Sequence, residues 1–289
     1  MENWLNLDSN ENKDTLRGGT YNDMMIIGEK INGTRSQVAR AIAERDREFV
    51  IDLAKSQVAG GVDFLDVNAG TSPDRETEDL VWLVRTVQEA VDVPLCLDSP
   101  NPQPLSSALK EVKKTSMINS ISGETARLKN VLPLVAEYGC PVIALALDDS
   151  GIPKGTEDRL EVVRRVIHQT RANGVPDEKV YIDPLVLTLG TDSKSGKIAM
   201  ETMQRIRSEF PKAHLIVGLS NISFGLPARH LINRIFLSLA MMAGLDSAIL
   251  DPTDQALRTT ILTTELVLGE DRFCRNFTQS YRSGMIVMK

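Results

Sequence analysis

Leu215-Ile-Val-Gly-Leu-Ser-Asn-Ile-Ser223 reads as a buried strand that runs into a glycine-serine-asparagine turn, and it projects one amide, Asn221, out of an apolar run. An amide in that position is placed to hold a ligand rather than to pack. Four other apolar runs end in the same way: Asp66-Val-Asn68, Leu97-Asp-Ser99, Ile118-Asn-Ser120 and Ile182-Asp-Pro184. Five such endings point to one shared site.

From Met24 onward, short β-rich runs alternate with longer segments of helical period, the pattern of repeated βα units on a parallel sheet. Strands are predicted near residues 24–28, 62–67, 94–98, 115–120, 141–147, 179–183, 214–219 and 247–250. Helices are predicted near 38–59, 75–91, 103–113, 125–138, 157–173, 196–209, 228–243 and 254–268. Glu157 and Asp158 mark one helix start, and Asn173-Gly174 its stop. Eight strand and helix pairs in roughly 265 residues match a closed (β/α)8 barrel, since open doubly wound sheets have about five or six strands. Residues 23–289 are therefore read as a single barrel domain. Residues 1–22, polar and carrying Gly18-Gly19, read as a flexible N-terminal extension.

Of 289 residues 33 are basic and 39 acidic, a net charge of −6, which argues against nucleic acid as a partner. Cys96, Cys140 and Cys274 are odd in number and widely spaced, so no disulfide framework is indicated and a reducing cytoplasm fits best. No run approaches the ~18 apolar residues of a spanning helix, so no membrane is expected.

In such a barrel the site forms where the strands end and the following loops converge. The polar residues at those ends are Glu29, Asn32, Asp66, Asn68, Asp98, Asn119, Ser122, Asp148, Asp149, Asp183, Ser220, Asn221 and Asp251. None of His168, His214 and His230 falls at a strand end, and no cysteine pair is present, so a zinc or iron site lacks ligands. No nucleophile elbow, phosphate loop or obvious Schiff-base lysine is found. A mouth of carboxylates and amides suits a flat heterocycle with adjacent N–H and NH₂ donors, such as the 2-amino-4-oxo edge of a pterin. A carboxylate accepts both donors as a fork. Asp183, aimed by Pro184, Asp98 and Asn119 are the candidates to hold the ring; the plain alternative is that such residues cap the following helices.

Taken together, Ile27-Gly-Glu-Lys-Ile-Asn-Gly-Thr-Arg35, Asp66-Val-Asn-Ala-Gly70, Leu97-Asp-Ser99, Asn119-Ser-Ile-Ser-Gly-Glu124, Ile182-Asp-Pro-Leu185, Gly218-Leu-Ser-Asn-Ile-Ser223 and Arg229-x-x-Ile-Asn-Arg234 resemble the methyltetrahydrofolate:corrinoid protein methyltransferases. These are pterin-binding barrels of the dihydropteroate synthase-like type, related to the folate module of cobalamin-dependent methionine synthase. The resemblance runs in order over about residues 24–282. It implies that Asp98, Asn119 and Asp183 hold the pterin, that Asn221 hydrogen-bonds near N5 as the catalytic group, and that Asp66, Asn68, Ser220 and Arg229 line or brace the folate site. Phe224, where relatives carry glutamine or an aromatic residue, either stacks on the ligand or packs. It further implies tetrahydrofolate or 5-methyltetrahydrofolate as substrate, a corrinoid carried on a partner protein, no metal bound by this chain itself, and a homodimer. Dihydropteroate synthase is disfavoured, because the first loop is Asn32-Gly-Thr-Arg35 and the cationic residues of that chemistry find no match. Two other readings stand beside this one: a Mg²⁺-dependent lyase or aldolase ligated by Glu29, Asp66, Asp98 and Asp251, and a folate-binding scaffold that does not turn over.

Overall fold

Eight parallel strands pair in chain order, and the last closes on the first. They are β1 (Met25–Asn32), β2 (Phe64–Asn68), β3 (Leu95–Asp98), β4 (Met117–Ser122), β5 (Val142–Leu145), β6 (Val180–Asp183), β7 (His214–Gly218) and β8 (Ser247–Leu250). The computed structural model describes residues 24–286; the proposed extension, residues 1–22, lies outside the described residues.

Two apolar clusters explain the closure. Side chains alternate across a strand, so residues two apart share a face. Ile27, Cys96, Met117, Ile143, Tyr181 and Ile216 turn inward and fill the lumen with help from Met25, Phe64, Leu145 and Ile249. The alternate residues, among them Ile26, Leu65, Leu97, Ile118, Val142 and Leu215, join the larger cluster under the helices. The same period of two carries Asp66, Asp98, Asn119 and Asp183 to the inner face one step above the apolar layer. At the opposite end His214 stacks on Tyr181, with ring centroids 4.5 Å apart, and its Nδ1 lies 3.0 Å from Asp246. Arg207 donates to the same carboxylate at 2.8 Å.

The helices are α1 (Ser36–Glu44), α2 (Arg47–Ala59), α3 (Pro73–Ala90), α4 (Pro102–Leu109), α5 (Thr125–Asn130), α6 (Leu132–Tyr138), α7 (Thr156–Ala172), α8 (Ser195–Glu209), α9 (Arg229–Met242), α10 (Gln255–Leu268) and α11 (Arg275–Arg282). Two expected helices are each divided. The segment 38–59 breaks where Arg45 adopts a left-handed conformation (φ 56°) and Asp46 caps α2 by accepting from Phe49 N. The segment 125–138 breaks at Val131, because Pro133 has no N–H to continue the ladder. Helix α11, too polar for a core stripe, was not expected at all. Among the described residues no helix is long and apolar enough to cross a membrane.

The loops after β1 and β2 touch through backbone. Gly33 N donates to Asn68 O at 2.8 Å, and a Cβ on Gly33 would fall 1.7 Å from Ala69 O. We predict that Gly33→Ala lowers stability by at least about 3 kcal/mol in urea unfolding, as overpacking against fixed atoms does. Gly174→Ala is the control: φ is +77° but nothing lies within 4 Å, so only the left-handed cost of about 1–2 kcal/mol applies. Equal losses would show that the loop contact is compliant.

Candidate functional site

Asp66, Asn68, Asp98 and Asn119 come together on adjacent strand ends. Asn68 Nδ2 donates to Asp98 Oδ2 at 2.7 Å, and Asn119 Nδ2 to Asp66 Oδ1 at 3.2 Å. Asp66 is 3 % exposed. Burial pushes its carboxyl well above the usual range, and the negative charges of Asp98 and Glu29 add to this, against hydrogen bonds from Asn119 and Cys96. Burial also raises Asp98, with the Asn68 hydrogen bond and the Arg127 charge opposing. Like charges this close disfavour double ionisation of the pair.

Asp183 stands across the mouth at the end of β6. Its Oδ1 accepts the Leu185 N–H at 2.7 Å. Burial pushes its carboxyl up to about 6, against the Leu185 hydrogen bond and the Arg159 charge. Asp66, Asp98, Asn119 and Asp183 accept from no helix N-terminus among the described residues, whereas Asp46, Asp254 and Asp271 cap helices and the strand-end residue Asp149 accepts from Thr125 N at the start of α5. Capping thus accounts for Asp149 but not for Asp66, Asp98, Asn119 or Asp183.

Beyond β7 the chain forms a short 3-10 turn, Leu219–Ser223, which carries Asn221. Gly218 makes room for the amide, since a Cβ there would lie 3.0 Å from Asn221 Nδ2. The turn is held from three directions. Ser220 Oγ donates to Glu29 Oε2 at 3.1 Å, Arg229 Nη2 to Ser220 O at 2.7 Å, and Ser223 Oγ to Asn233 Oδ1 at 2.7 Å. Arg229 thus braces the turn from behind. Phe224 is 68 % exposed at the rim, 5.9 Å from the Arg229 guanidinium, so it does not pack into the core.

Two carboxylates of the Mg²⁺ reading are engaged elsewhere. Glu29 pairs with Arg35 at 2.8 Å, and Asp251 with Lys30 at 3.0 Å and Thr253 Oγ1 at 2.7 Å. Among the described residues no three His, Cys, Asp or Glu side chains converge as a metal-ligand set.

Sequence reading missed the residues that stand behind the mouth. Glu76, 5 % exposed on α3, accepts from Ser99 and from Asn101 Nδ2 and so fixes the loop after β3. Arg127 on α5 donates to Ser99 O and Ser120 O at 3.3 and 3.4 Å. Arg159, 1 % exposed, donates to Pro153 O, Pro184 O and Leu185 O. A signal for it was present: Arg159 falls in the apolar stripe of α7 with Val163, Val166 and Thr170, where a charge has no place unless it is bound.

The fold is a closed (β/α)8 barrel whose mouth carries the buried carboxylates Asp66 and Asp183 beside less buried amides. The profile of the pterin binding enzyme family matches residues 28–251. A methylcorrinoid:tetrahydrofolate methyltransferase of Eubacterium limosum is 40 % identical over 265 residues, 91 % of this chain and 98 % of that protein. The methionine synthase of Mycobacterium leprae is 34 % identical over 239 residues, 78 % of this chain but 20 % of that much longer protein. Among solved structures, a dihydropteroate synthase of Clostridium difficile superposes with a TM-score of 0.65 over 86 % of this chain and 98 % of its own, at 17 % identity, a likeness of fold alone. The chain belongs to the pterin binding enzymes and, within them, to the family of the methylcorrinoid:tetrahydrofolate methyltransferase.

Proposed function

We propose that this chain moves a methyl group between N5 of tetrahydrofolate and the cobalt of a corrinoid carried on a separate protein. The observation that carries the reading is its near end-to-end similarity to a methylcorrinoid:tetrahydrofolate methyltransferase. Asp98, Asn119 and Asp183 clamp the pterin edge, with Asp66 and Asn68 holding Asn119 and Asp98 in place. Asn221 lies beside N5, on a turn braced by Ser220 and Arg229, and Phe224 offers an aromatic rim to the benzoyl part of the folate.

The tetrahydrofolate anion is a poor leaving group, so N5 must gain positive character before the methyl departs. Asn221 can accept a hydrogen bond from a protonated N5 and donate one to a neutral nitrogen, so it follows the proton without supplying it. The corrinoid supplies the nucleophile in one direction and the methyl group in the other. The barrel contributes orientation and exclusion of water. On this reading the protein is a cytoplasmic homodimer that takes a corrinoid protein as its partner and neither nucleic acid nor membrane. Two features support it: unpaired buried Cys96 and Cys140, and the exposed apolar residues Leu231, Ile235 and Met242 along α9.

Mixing the protein with 5-methyltetrahydrofolate and a reduced corrinoid protein should convert the Co(I) spectrum to that of methyl-Co(III), and tetrahydrofolate should reverse it. Folate binding with no spectral change toward any candidate corrinoid protein would favour the non-catalytic scaffold instead.

A further inference from the structure

The side chain of Arg159 is among the largest fully buried ones, yet among the described residues it makes no hydrogen bond to a carboxylate. Its donors go to main-chain carbonyls: Nε to Pro153 O at 3.0 Å, and Nη1 to Pro184 O at 2.8 Å and Leu185 O at 2.6 Å. These carbonyls belong to the loop after β5 and to the turn that directly follows Asp183. Leu185 holds a left-handed conformation (φ 64°), which a non-glycine residue adopts only when its surroundings impose it. Arg159 grips the carbonyls of the two peptides that flank Leu185.

A buried cation also needs a counter-charge. The charged groups that face Arg159 are Asp183, at the end of β6, and Asp192, in the loop before α8. Asp192 is partly exposed and uses Oδ1 to accept Lys194 N. Asp183 is buried, and its charged neighbour is Arg159. A guanidinium bonded directly to Asp183 would occupy the lone pairs that a ligand needs. One that bonds the adjacent carbonyls supplies positive charge nearby and leaves those lone pairs free.

We infer that Arg159 is a positioning residue for folate binding: it aims the Asp183 turn and keeps that carboxylate ionised without using its acceptor atoms. Arg127 stands in a similar relation to the Asp98 side, bonding Ser99 O and Ser120 O while its charge bears on Asp98. The inference rests on the folate reading given above.

The test is 5-methyltetrahydrofolate affinity by calorimetry between pH 5 and 9. Wild-type binding should weaken on acidification with a bend near pH 6, where burial has placed the Asp183 carboxyl. Removing a nearby opposite charge raises such a group by about 1–3 pH units. Arg159→Gln, which keeps a donor but not the charge, should therefore move the bend up by about two units. Its affinity should fall roughly tenfold at pH 7 and lie within about threefold of wild type at pH 9. In methyl transfer, KM should rise and kcat at saturating folate should hold. Arg159→Lys should keep the bend near pH 6. In an Asp183→Asn background, Arg159→Gln should add no pH-dependent loss.

A loss in Arg159→Gln that is equal at pH 7 and pH 9 would assign Arg159 to structure alone and overturn the inference. If Arg159→Gln does not fold, Arg159→Lys decides, because a bend displaced by more than one unit there is incompatible with a charge role. Wild-type protein that binds no methyltetrahydrofolate at any pH removes the folate reading itself. That outcome is distinct from tight wild-type binding with an unmoved bend.

Discussion

Asn221→Ala lowers methyl transfer by ~10²–10³-fold, with the fold intact and folate affinity changed only a few-fold. Removing one hydrogen bond that strengthens in the transition state costs about 2.7–4 kcal/mol. The amide is suited to such a role because nothing else occupies it: among the described residues its side chain takes part in no hydrogen bond, and it rests over Gly218. The turn beneath it is anchored through Ser220, Ser223 and Arg229 rather than through Asn221, so truncating the amide should not loosen its neighbours. The measurement is single-turnover methyl transfer at saturating folate, paired with calorimetry and thermal unfolding. Near wild-type turnover would sink the assignment of Asn221 to N5.

Asp183→Asn separates stability from function. Its carboxyl is raised from the ordinary value near 4 to about 6, chiefly by burial. Between those two values the folded chain holds a proton that the unfolded chain has released. Stability of the ligand-free protein therefore falls as pH rises through that window, and is flat above it. At neutral pH an ionised Asp183 destabilises the free protein by up to about 3 kcal/mol. Asparagine occupies the same space and can accept the Leu185 N–H, so the variant should unfold at higher denaturant at pH 7 and lose that advantage by pH 4. The gain will fall short of the upper figure, because Arg159 loses its counter-charge. Folate affinity should drop by about two orders of magnitude, since an amide cannot accept both donors of the pterin edge. A variant that is both less stable at pH 7 and unimpaired in binding would refute this account.

Barrel closure was legible because eight short apolar runs alternate with helical segments, and β2, β3, β4 and β6 carry a polar residue two positions beyond their inward apolar side chain. Asp66, Asp98, Asn119 and Asp183 could be read as one site for that reason: a period of two puts them all inward. The parts that escaped reading depend on distant partners. Arg45 ends the first expected helix by a left-handed backbone conformation that its side chain does not announce. Helix α11 has a polar sequence with no buried apolar stripe, and its first turn is held by Asp271, which accepts from Asn276 N and Phe277 N. Glu29 sits where the β1–β2 register slips between Gly28 and Ile31, so its reach to Ser220, 191 positions away, could not be inferred from strand period. Arg159 and Glu76 belong to helices, while the carbonyls and hydroxyls they hold lie on loops that chain order keeps apart.

The plugged lumen bears on kinetic order. Ile27, Cys96, Met117, Ile143 and Ile216 fill the channel beneath the carboxylates, and the Tyr181 and His214 rings close its far end. A small molecule seated on Asp98, Asn119 and Asp183 thus has a single doorway. On the proposed reading, a partner carrying the other reactant comes to that same doorway and covers it. Folate must enter first and leave last, so the steady-state kinetics should show a compulsory sequence through a ternary complex rather than a ping-pong pattern.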